Sequence, residues 1–281
     1  MPETTNELLI PHELIVADAA SFAAKMSELR AHGADGMHAV FDFDRTLTVK
    51  RPGTQDEVTT WHILREHLPQ DGQMEYQRLF NKYRRLELSG TMTEADAIQW
   101  WSAILNLFVE RGVDLAAVEE AFMERASIRP GTFELFELFA GHGIPTVILS
   151  AGIRDVIDMW CRKYRIEPTL VVSTSLVVDD CHRITGWEQD TLVHVLNKSE
   201  ATHPELTSIR KLRPNALVVG DGLDDASMSP DGHGVIKVRI LDPRDDESDN
   251  EQEEHKSFER FDAVIKTGTL TALCELVGLV A

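Results

Sequence analysis

Two aspartates one residue apart, Asp42 and Asp44, are the side chains of this sequence best suited to chemistry. They follow a short apolar run that begins at Met37, and hydroxyl residues such as Thr46 come directly after them. Two close carboxylates repel each other, and their burial is costly unless a cation or a proton offsets the charge. The pair indicates a divalent-metal site whose first aspartate attacks an electrophile. A turn with two solvated aspartates is the alternative.

Three other segments supply polar groups of related chemistry. Ser150 and Ala151 stand between a β-rich stretch and a helical one, whose first amides could bind an anion. Lys198 supplies a cation, and Asp221 and Asp225 supply acids on a glycine-rich turn. Taken singly, such a serine is most often a helix cap and such a lysine a surface residue. The four segments together, in this order, are far more specific.

The elements that would position these residues follow from the hydrophobic pattern. Strand and helix patterns alternate after Pro130, which predicts an α/β fold with a doubly wound, Rossmann-like parallel sheet. Helical patterns fill the stretch directly after the two aspartates, and Thr93 and Asp114 are expected to be the N-caps of two of these helices. We therefore expect a core made of residues 1–49 and 127–281, with an α-helical cap domain inserted at residues 50–126. The main predicted strands are 144–149, 170–172, 216–219, 235–240 and 263–265, and the main predicted helices outside the cap are 5–32, 133–139, 154–164, 204–212 and 270–279.

This arrangement gathers the polar segments at one edge of the predicted sheet. Asp42, Ser150 and Asp221 each fall at the carboxyl end of a predicted strand. Ligands of open parallel sheets bind outside the carboxyl ends of the strands. A cap inserted directly after Asp42 and Asp44 would cover that edge.

Composition limits the partners. The 281 residues carry a net charge of −19, which argues against a nucleic-acid polymer but leaves a small phosphate ligand possible. No apolar run approaches the length of a membrane span, and the N-terminus lacks the form of a signal peptide, so a cytoplasmic location is expected. Three cysteines indicate neither a disulfide framework nor a zinc site. The acidic run at residues 242–254 is expected to be a solvated or mobile surface segment.

The four segments resemble the motifs of the haloacid-dehalogenase-like (HAD) phosphatase superfamily. Those motifs are Asp-x-Asp-x-[Thr/Val], a strand-end Ser or Thr, a Lys, and an acidic Gly-Asp turn. Within that superfamily, several stretches resemble the pyrimidine 5′-nucleotidase family, that of cytosolic 5′-nucleotidase III. They are residues 41–48 (Phe-Asp-Phe-Asp-Arg-Thr-Leu-Thr), 148–156, 184–187, 194–198 and 220–225, together with the pair Trp100-Trp101.

The resemblance implies catalytic roles for the two aspartates and for Lys198. Asp42 would be the nucleophile that forms an aspartyl-phosphate intermediate. Asp44 would protonate the leaving oxygen and later activate water. Lys198, the Ser150 hydroxyl and the Ala151 amide would hold the oxygens of the transferring phosphoryl group.

The resemblance also implies a Mg²⁺ cofactor. The ion would be held by the Asp42 carboxylate, the Asp44 backbone carbonyl and Asp221. Asp225 would bind the metal through water or orient Lys198. Asp224 stands where the nucleotidase pattern has a small residue, so no role is assigned to it.

Substrate choice would come from the cap. Glu87 falls where the nucleotidase family uses a glutamate to contact the base or ribose, and a helix-surface carboxylate is the alternative. Of Trp100 and Trp101, at most one could present its ring to a base, since adjacent helical residues point about 100° apart. Arg45 and Arg154 depart from the family pattern, and either could contact the phosphate site.

The sequence thus predicts a Mg²⁺-dependent phosphomonoesterase that hydrolyses nucleoside 5′-monophosphates. A phosphatase for phosphoserine or a sugar phosphate is the first alternative, and a catalytically silent domain that binds a phosphorylated ligand or a protein is the second. The expected partner is a small phosphorylated substrate, with no nucleic-acid polymer and no membrane. Oligomeric state is left open.

Overall fold

The computed structural model describes residues 10–49, 58–200, 203–242 and 247–280. The strands are β1 (Leu14–Val16), β2 (Met37–Phe41), β3 (Thr146–Ile153), β4 (Leu170–Thr174), β5 (Leu176–Val178), β6 (Ile184–Trp187), β7 (Asn215–Gly220), β8 (Val235–Ile240) and β9 (Ala263–Ile265). The helices are α1 (Ala19–His32), α2 (Thr60–Glu66), α3 (Gln70–Leu88), α4 (Glu94–Glu110), α5 (Leu115–Arg125), α6 (Thr132–Gly141), α7 (Arg154–Tyr164), α8 (Pro204–Leu212), α9 (Glu247–Ser257) and α10 (Thr271–Gly278).

The chain divides into two compact units. The first comprises Met1–Val40, Arg129–Thr146 and Ser208–Ala281, and the second comprises Phe41–Ile128 and Val147–Thr207. The predicted α/β fold with a mostly parallel sheet and a helical cap is confirmed. Among the described residues, none of the helices combines the length and apolar character that crossing a membrane requires.

The first unit contains strands in the order β1-β9-β8-β7-β2. β8 pairs in parallel with both β7 and β9, whereas the edge strand β1 runs antiparallel to β9, with Leu14 opposite Ile265. Every residue of β2, β7 and β8 is buried, as expected for parallel strands covered on both faces.

The predicted leading helix at residues 5–32 is wrong in its first half. Leu14 belongs to β1, where the ladder with β9 outweighs its helical spacing. The helix begins only after Asp18, whose carboxylate accepts the amide hydrogens of Ala20 and Ser21 at 2.9 and 3.1 Å. Residues 5–9 of the prediction lie outside the described residues.

The second unit contains the predicted cap helices, which appear as α2 to α5. Thr93 caps α4 as predicted, in a reciprocal capping box with Asp96. Asp114 caps α5 as predicted, through the amides of Ala116 and Ala117. The helical part of the cap is therefore set largely by local sequence.

Strands and a hairpin complete the second unit. β3 pairs in parallel with β4, and its register shifts between Leu149 and Ile153. The structure extends β3 past the predicted end to Ile153, and α7 has the predicted bounds. β5 and β6 form an antiparallel hairpin.

The acidic run is only partly a solvated segment, in contrast to its prediction. Asp242 accepts a hydrogen bond at 2.7 Å from Arg129, which is fully buried. Glu253, in α9, pairs at 3.2 Å with the buried Arg239. These acids place negative charge beside buried arginines. Residues 243–246 lie outside the described residues.

Candidate active site

A tight loop anchored by Phe43 carries the two predicted catalytic aspartates. Asp42 directly follows β2, and the next side chain, Phe43, is buried edge-on against Trp160 of α7, with ring centroids 5.2 Å apart. The Phe43 carbonyl accepts hydrogen bonds from three successive amides, those of Thr46, Leu47 and Thr48. Arg45 takes a left-handed conformation (φ 67°) inside this turn. The loop is thus tied down between its two acids.

Asp42 and Lys198 form a buried ion pair. Lys198 Nζ lies 3.0 Å from Asp42 Oδ1, and both side chains are almost fully buried. The preceding Asn197 fixes the lysine loop, since its amide nitrogen donates to the Leu192 carbonyl at 2.9 Å and its oxygen accepts the His194 amide hydrogen at 2.7 Å. The structure therefore brings together two residues that are 156 positions apart in sequence.

Thr60, the first residue of α2, holds Asp44. Its hydroxyl donates to Asp44 Oδ2 at 2.8 Å, and its amide donates to Oδ1 at 3.0 Å. Burial raises the pKa of Asp44 to about 7, and the Asp42 carboxylate adds to this increase, while the bonds from Thr60 and the charge of Arg45 oppose it. The two aspartates thus differ in surroundings, one beside a cation and one beside neutral donors.

The segment around Ser150 lies next to Thr60. Ser150 is buried within β3, and its hydroxyl oxygen accepts the Gly152 amide hydrogen at 3.1 Å. A Cβ at Gly152 would come within 2.6 Å of Thr60 Oγ1 and 3.2 Å of Ser150 Oγ. Only glycine permits this approach of α2 to β3.

Two indole rings of the cap converge on the predicted phosphate-binding segment. Trp61 of α2 and Trp101 of α4 both donate their Nε1 hydrogens to the Ala151 carbonyl, at 3.0 and 3.3 Å. Trp100 is also buried, and it stacks on Tyr83 with ring centroids 5.8 Å apart. Trp100 therefore packs inside the cap, whereas Trp101 connects the cap to β3.

The sequence interpretation missed both Thr60 and Trp61. The available signal for Thr60 was the Thr59-Thr60 pair ahead of an apolar helical pattern, which indicates a helix start. Thr59 is indeed the N-cap of α2, accepting the His62 amide hydrogen. Nothing in the local pattern indicated that the next threonine binds Asp44.

The predicted specificity residue Glu87 lies near the C-terminal end of α3. It is half-buried and forms an ion pair with Arg84, three residues earlier. Arg154, the first residue of α7, donates to the Val171 carbonyl at 3.4 Å and lies 3.6 Å from Asp158.

The remaining acids, Asp221 and Asp225, lie in the first unit directly after β7. Asp225 is buried, and its Oδ2 accepts the Gly222 amide hydrogen at 2.8 Å. A Cβ at Gly220 would overlap the Asp225 side chain, so glycine is required there. The Asp221 carbonyl accepts a hydrogen bond at 2.8 Å from Arg239 Nε.

The aspartate carboxylates have the chemistry that a hard divalent cation requires of its ligands. Asp42, Asp221 and Asp225 each offer a carboxylate oxygen as a ligand atom. Oxygen ligands of this kind are those that Mg²⁺ and Ca²⁺ prefer, whereas zinc sites favour nitrogen and sulfur. Asp42 and Asp225 are buried, and buried carboxylates require a counter-charge.

Known proteins provide an independent comparison. Curated relatives include 7-methylguanosine phosphate-specific 5′-nucleotidase A of Xenopus laevis (26% identical; 82% of this chain, 84% of the relative) and a putative cytosolic 5′-nucleotidase 3 of Caenorhabditis elegans (26%; 81% and 64%). Among solved structures, cytosolic 5′-nucleotidase IIIB bound to cytidine matches with a TM-score of 0.77 (25% identical; 96% and 94% of the two chains). A substrate-bound phosphoserine phosphatase matches with a TM-score of 0.57 at 18% identity, which shows a shared fold.

These comparisons confirm that the chain resembles the HAD superfamily and that it is a phosphoric monoester hydrolase. Phosphatases of this fold generally use a divalent metal. The sequence profile of the pyrimidine 5′-nucleotidases (UMPH-1) matches residues 46–280, which is most of the chain. The chain therefore belongs to the pyrimidine 5′-nucleotidase (UMPH-1) family.

Proposed function

We propose that this protein is a Mg²⁺-dependent phosphomonoesterase that hydrolyses nucleoside 5′-monophosphates through an aspartyl-phosphate on Asp42. The buried pair between Asp42 and Lys198 carries the proposal, since it holds a carboxylate nucleophile beside a cation able to bind phosphate oxygens. The names of the relatives support the nucleotide class, and that of the C. elegans relative supports a cytoplasmic location.

The two aspartates divide the chemistry between them. Asp42 attacks phosphorus, and the bond from phosphorus to the ester oxygen breaks. Asp44, held by Thr60, gives its proton to that leaving oxygen and then takes one from the attacking water. The water oxygen displaces the Asp42 carboxylate from phosphorus, which restores the free enzyme and releases inorganic phosphate.

The remaining site residues bind the phosphoryl oxygens and the metal ion. Lys198, the Ser150 hydroxyl and the Ala151 amide hold the phosphoryl oxygens as charge develops on them. We propose that Asp42, the Asp44 carbonyl, Asp221 and Asp225 hold the ion. A bound Mg²⁺ would neutralise the repulsion between an anionic nucleophile and a phosphate dianion.

We also propose that residues 50–126 act as the cap and select the substrate. The described cap helices carry Trp61 and Trp101, whose bonds to the Ala151 carbonyl fix the cap against the phosphate-binding segment. Glu87 would then contact the base or the ribose. If it does, Glu87→Gln raises KM for nucleotides and leaves p-nitrophenyl phosphate hydrolysis unchanged, whereas a surface carboxylate would alter neither.

The substitution Asp42→Asn tests the enzymatic function. It removes the nucleophile with little change of shape, so Mg²⁺-dependent phosphate release from p-nitrophenyl phosphate should fall by at least about a thousandfold. Asp35→Asn, a matched change on the exposed surface, should retain full activity. Wild-type protein that released no phosphate with Mg²⁺ would favour the silent binding domain.

A substrate panel tests the nucleotide class. Cytidine, uridine and 7-methylguanosine monophosphates are compared with phosphoserine and glucose 6-phosphate by phosphate release at equal enzyme concentration. We expect the highest kcat/KM for a nucleotide. If phosphoserine or the sugar phosphate were hydrolysed faster than every nucleotide, the alternative substrate class would be correct.

A further inference from the structure

A cleft lies within the first unit and contains none of the residues assigned to catalysis. Its volume is about 380 Å³. The groups that matter here are Glu28 and His32 of α1, His38 of β2, Arg210 of α8, Asn215 of β7 and the turn at residues 229–235.

Three side chains of this cleft have buried polar atoms without a hydrogen-bond partner among the described residues. They are His38 Nε2, Arg210 Nε and Asn215 Nδ2. His38 is 1% exposed and Asn215 is 4% exposed. Buried polar atoms are nearly always paired in folded proteins, so three of them lining one cleft indicate a ligand that supplies the partners.

The hydrogen-bonding character of these atoms can be assigned. His38 Nδ1 lies 2.7 Å from the Arg213 carbonyl oxygen, which can only accept, so Nδ1 carries a hydrogen. Burial lowers the pKa of His38 to about 4, a change that the carbonyls of Arg213 and Asn215 oppose and the positive charges of Arg210 and Arg213 assist. The ring is therefore neutral at pH 7, and its Nε2 is an acceptor. The cleft thus offers one acceptor and two donors.

The cleft also contains an arginine that no described carboxylate neutralises. Arg210 is partly buried, its Nη2 donates to the Met228 carbonyl, and no described carboxylate forms an ion pair with it. The acids of the lining have other neighbours. Glu28 lies 3.4 Å from His32, and Asp231, whose side chain is 91% exposed, lies 2.6 Å from Lys237. A partly buried guanidinium without a counter-charge favours an anionic ligand.

We propose that this cleft binds a phosphate group that retains a hydroxyl, either as inorganic phosphate or as the monoanionic, singly protonated end of a small phosphomonoester. The charged oxygens would accept from Arg210 Nε and Asn215 Nδ2, and the P–OH would donate to His38 Nε2. Sulfate has the same shape and charge but no proton at neutral pH, so it would leave Nε2 unpaired. Discrimination between phosphate and sulfate is therefore the signature of the site.

The test follows the imidazole nitrogens of His38 by NMR in the full-length protein. Inorganic phosphate is titrated at pH 7 and compared with sulfate, and glycerol 3-phosphate is titrated into Asp42→Asn protein so that the ester is not hydrolysed. We expect saturable shifts of His38 Nε2 with phosphate and binding at least about tenfold weaker with sulfate. Whichever of inorganic phosphate and the ester binds more tightly identifies the form of the ligand.

Two variants on α8 provide matched controls. Arg210→Gln should weaken phosphate binding at least about tenfold, whereas Lys211→Gln, which removes an exposed charge from the next residue, should not change it. If Arg210→Gln does not fold, a crystal structure of the wild type grown in phosphate replaces it, with phosphate between Arg210 and His38 as the expected result. Unshifted His38 signals, equal binding of phosphate and sulfate, or only water in the cleft would overturn the proposal. Loss of catalysis in Asp42→Asn leaves this titration unaffected, so the two proposals fail separately.

Discussion

At the scale of single residues, chemically equal groups acquire different properties from their neighbours. Asp42 lies beside the Lys198 ammonium group, whereas Asp44 receives only neutral donors from Thr60, and burial raises its pKa. Phe43 makes this division possible, because its buried ring and its carbonyl fix the loop on which both acids stand. The proposed nucleophile and the proposed proton carrier thus differ in their contacts and not in residue type.

The Thr60 hydroxyl positions Asp44, so its removal should slow the chemical step. Thr60→Val deletes the 2.8 Å bond to Asp44 Oδ2 and keeps the backbone donor and the shape of the side chain. We expect kcat to fall about tenfold while KM stays nearly constant, since general acid catalysis requires an aligned proton. Steady-state kinetics with a nucleoside monophosphate measures both parameters.

Thr59→Val is the matched control for this change. It removes the N-cap bond of α2 to His62 but leaves Asp44 untouched. It should lower the free energy of unfolding by about 1 kcal/mol without lowering kcat. A kcat that fell equally in both variants would mean that the helix start matters and the Thr60 hydroxyl does not.

At the scale of elements, one peptide carbonyl joins two cap helices to a strand. α2 and α4 each place an indole N–H on the Ala151 carbonyl, near the end of β3. The rings also pack together, with Trp61 edge-on to Trp101 at 6.3 Å. The position of the cap helices on β3 therefore depends on a shared acceptor.

Because the two indoles share one acceptor, we expect their removal to have non-additive effects on the free energy of unfolding. Trp61→Phe and Trp101→Phe each remove one donor, and only the double variant leaves the Ala151 carbonyl with neither indole. We expect the double variant to lose about 1 kcal/mol more free energy of unfolding than the sum of the single changes. Urea unfolding of the four proteins in this cycle measures the difference.

Trp187→Phe is the control for the Trp61 and Trp101 variants. Its indole donates to Asn106 at an exposed position, where water can replace the bond, so its loss should change stability little and should add independently to either cap variant. Strict additivity between Trp61 and Trp101 would show that the two bonds to Ala151 are energetically separate.

At the scale of the whole molecule, the sequence was sufficient where structure follows from local rules. The caps Thr93 and Asp114 and the bounds of α7 appear as predicted, and each predicted parallel strand is present, with β3 longer than expected. Prediction failed where contacts between residues far apart in the sequence determine the structure. Leu14 belongs to a strand because β9 pairs with it, and Asp242 forms an ion pair because Arg129 is buried beside it. The contact of Thr60 with Asp44 is of the same kind, since no local pattern encodes it.

Buried titratable groups make the stability of the whole molecule depend on pH, and His38 is the clearest case. Its pKa falls from 6.5 to about 4 on folding, so between these values the unfolded imidazole is protonated while the folded one is not. Protonation then favours the unfolded state, and stability falls as the pH drops from about 6.5 to 4. The shift corresponds to about 3 kcal/mol once the pH is below 4.

The variant His38→Asn isolates this contribution. An asparagine amide can take the place of Nδ1 as donor to the Arg213 carbonyl, and it does not titrate. Carboxylates titrate in the same range, so the quantity to measure is the difference in free energy of unfolding between wild type and variant, from urea unfolding in phosphate-free buffers at pH 7.5 and pH 4.5. We expect the wild type to lose about 2 kcal/mol more than the variant over this interval. An identical loss in both proteins would mean that the pKa of His38 does not fall on folding.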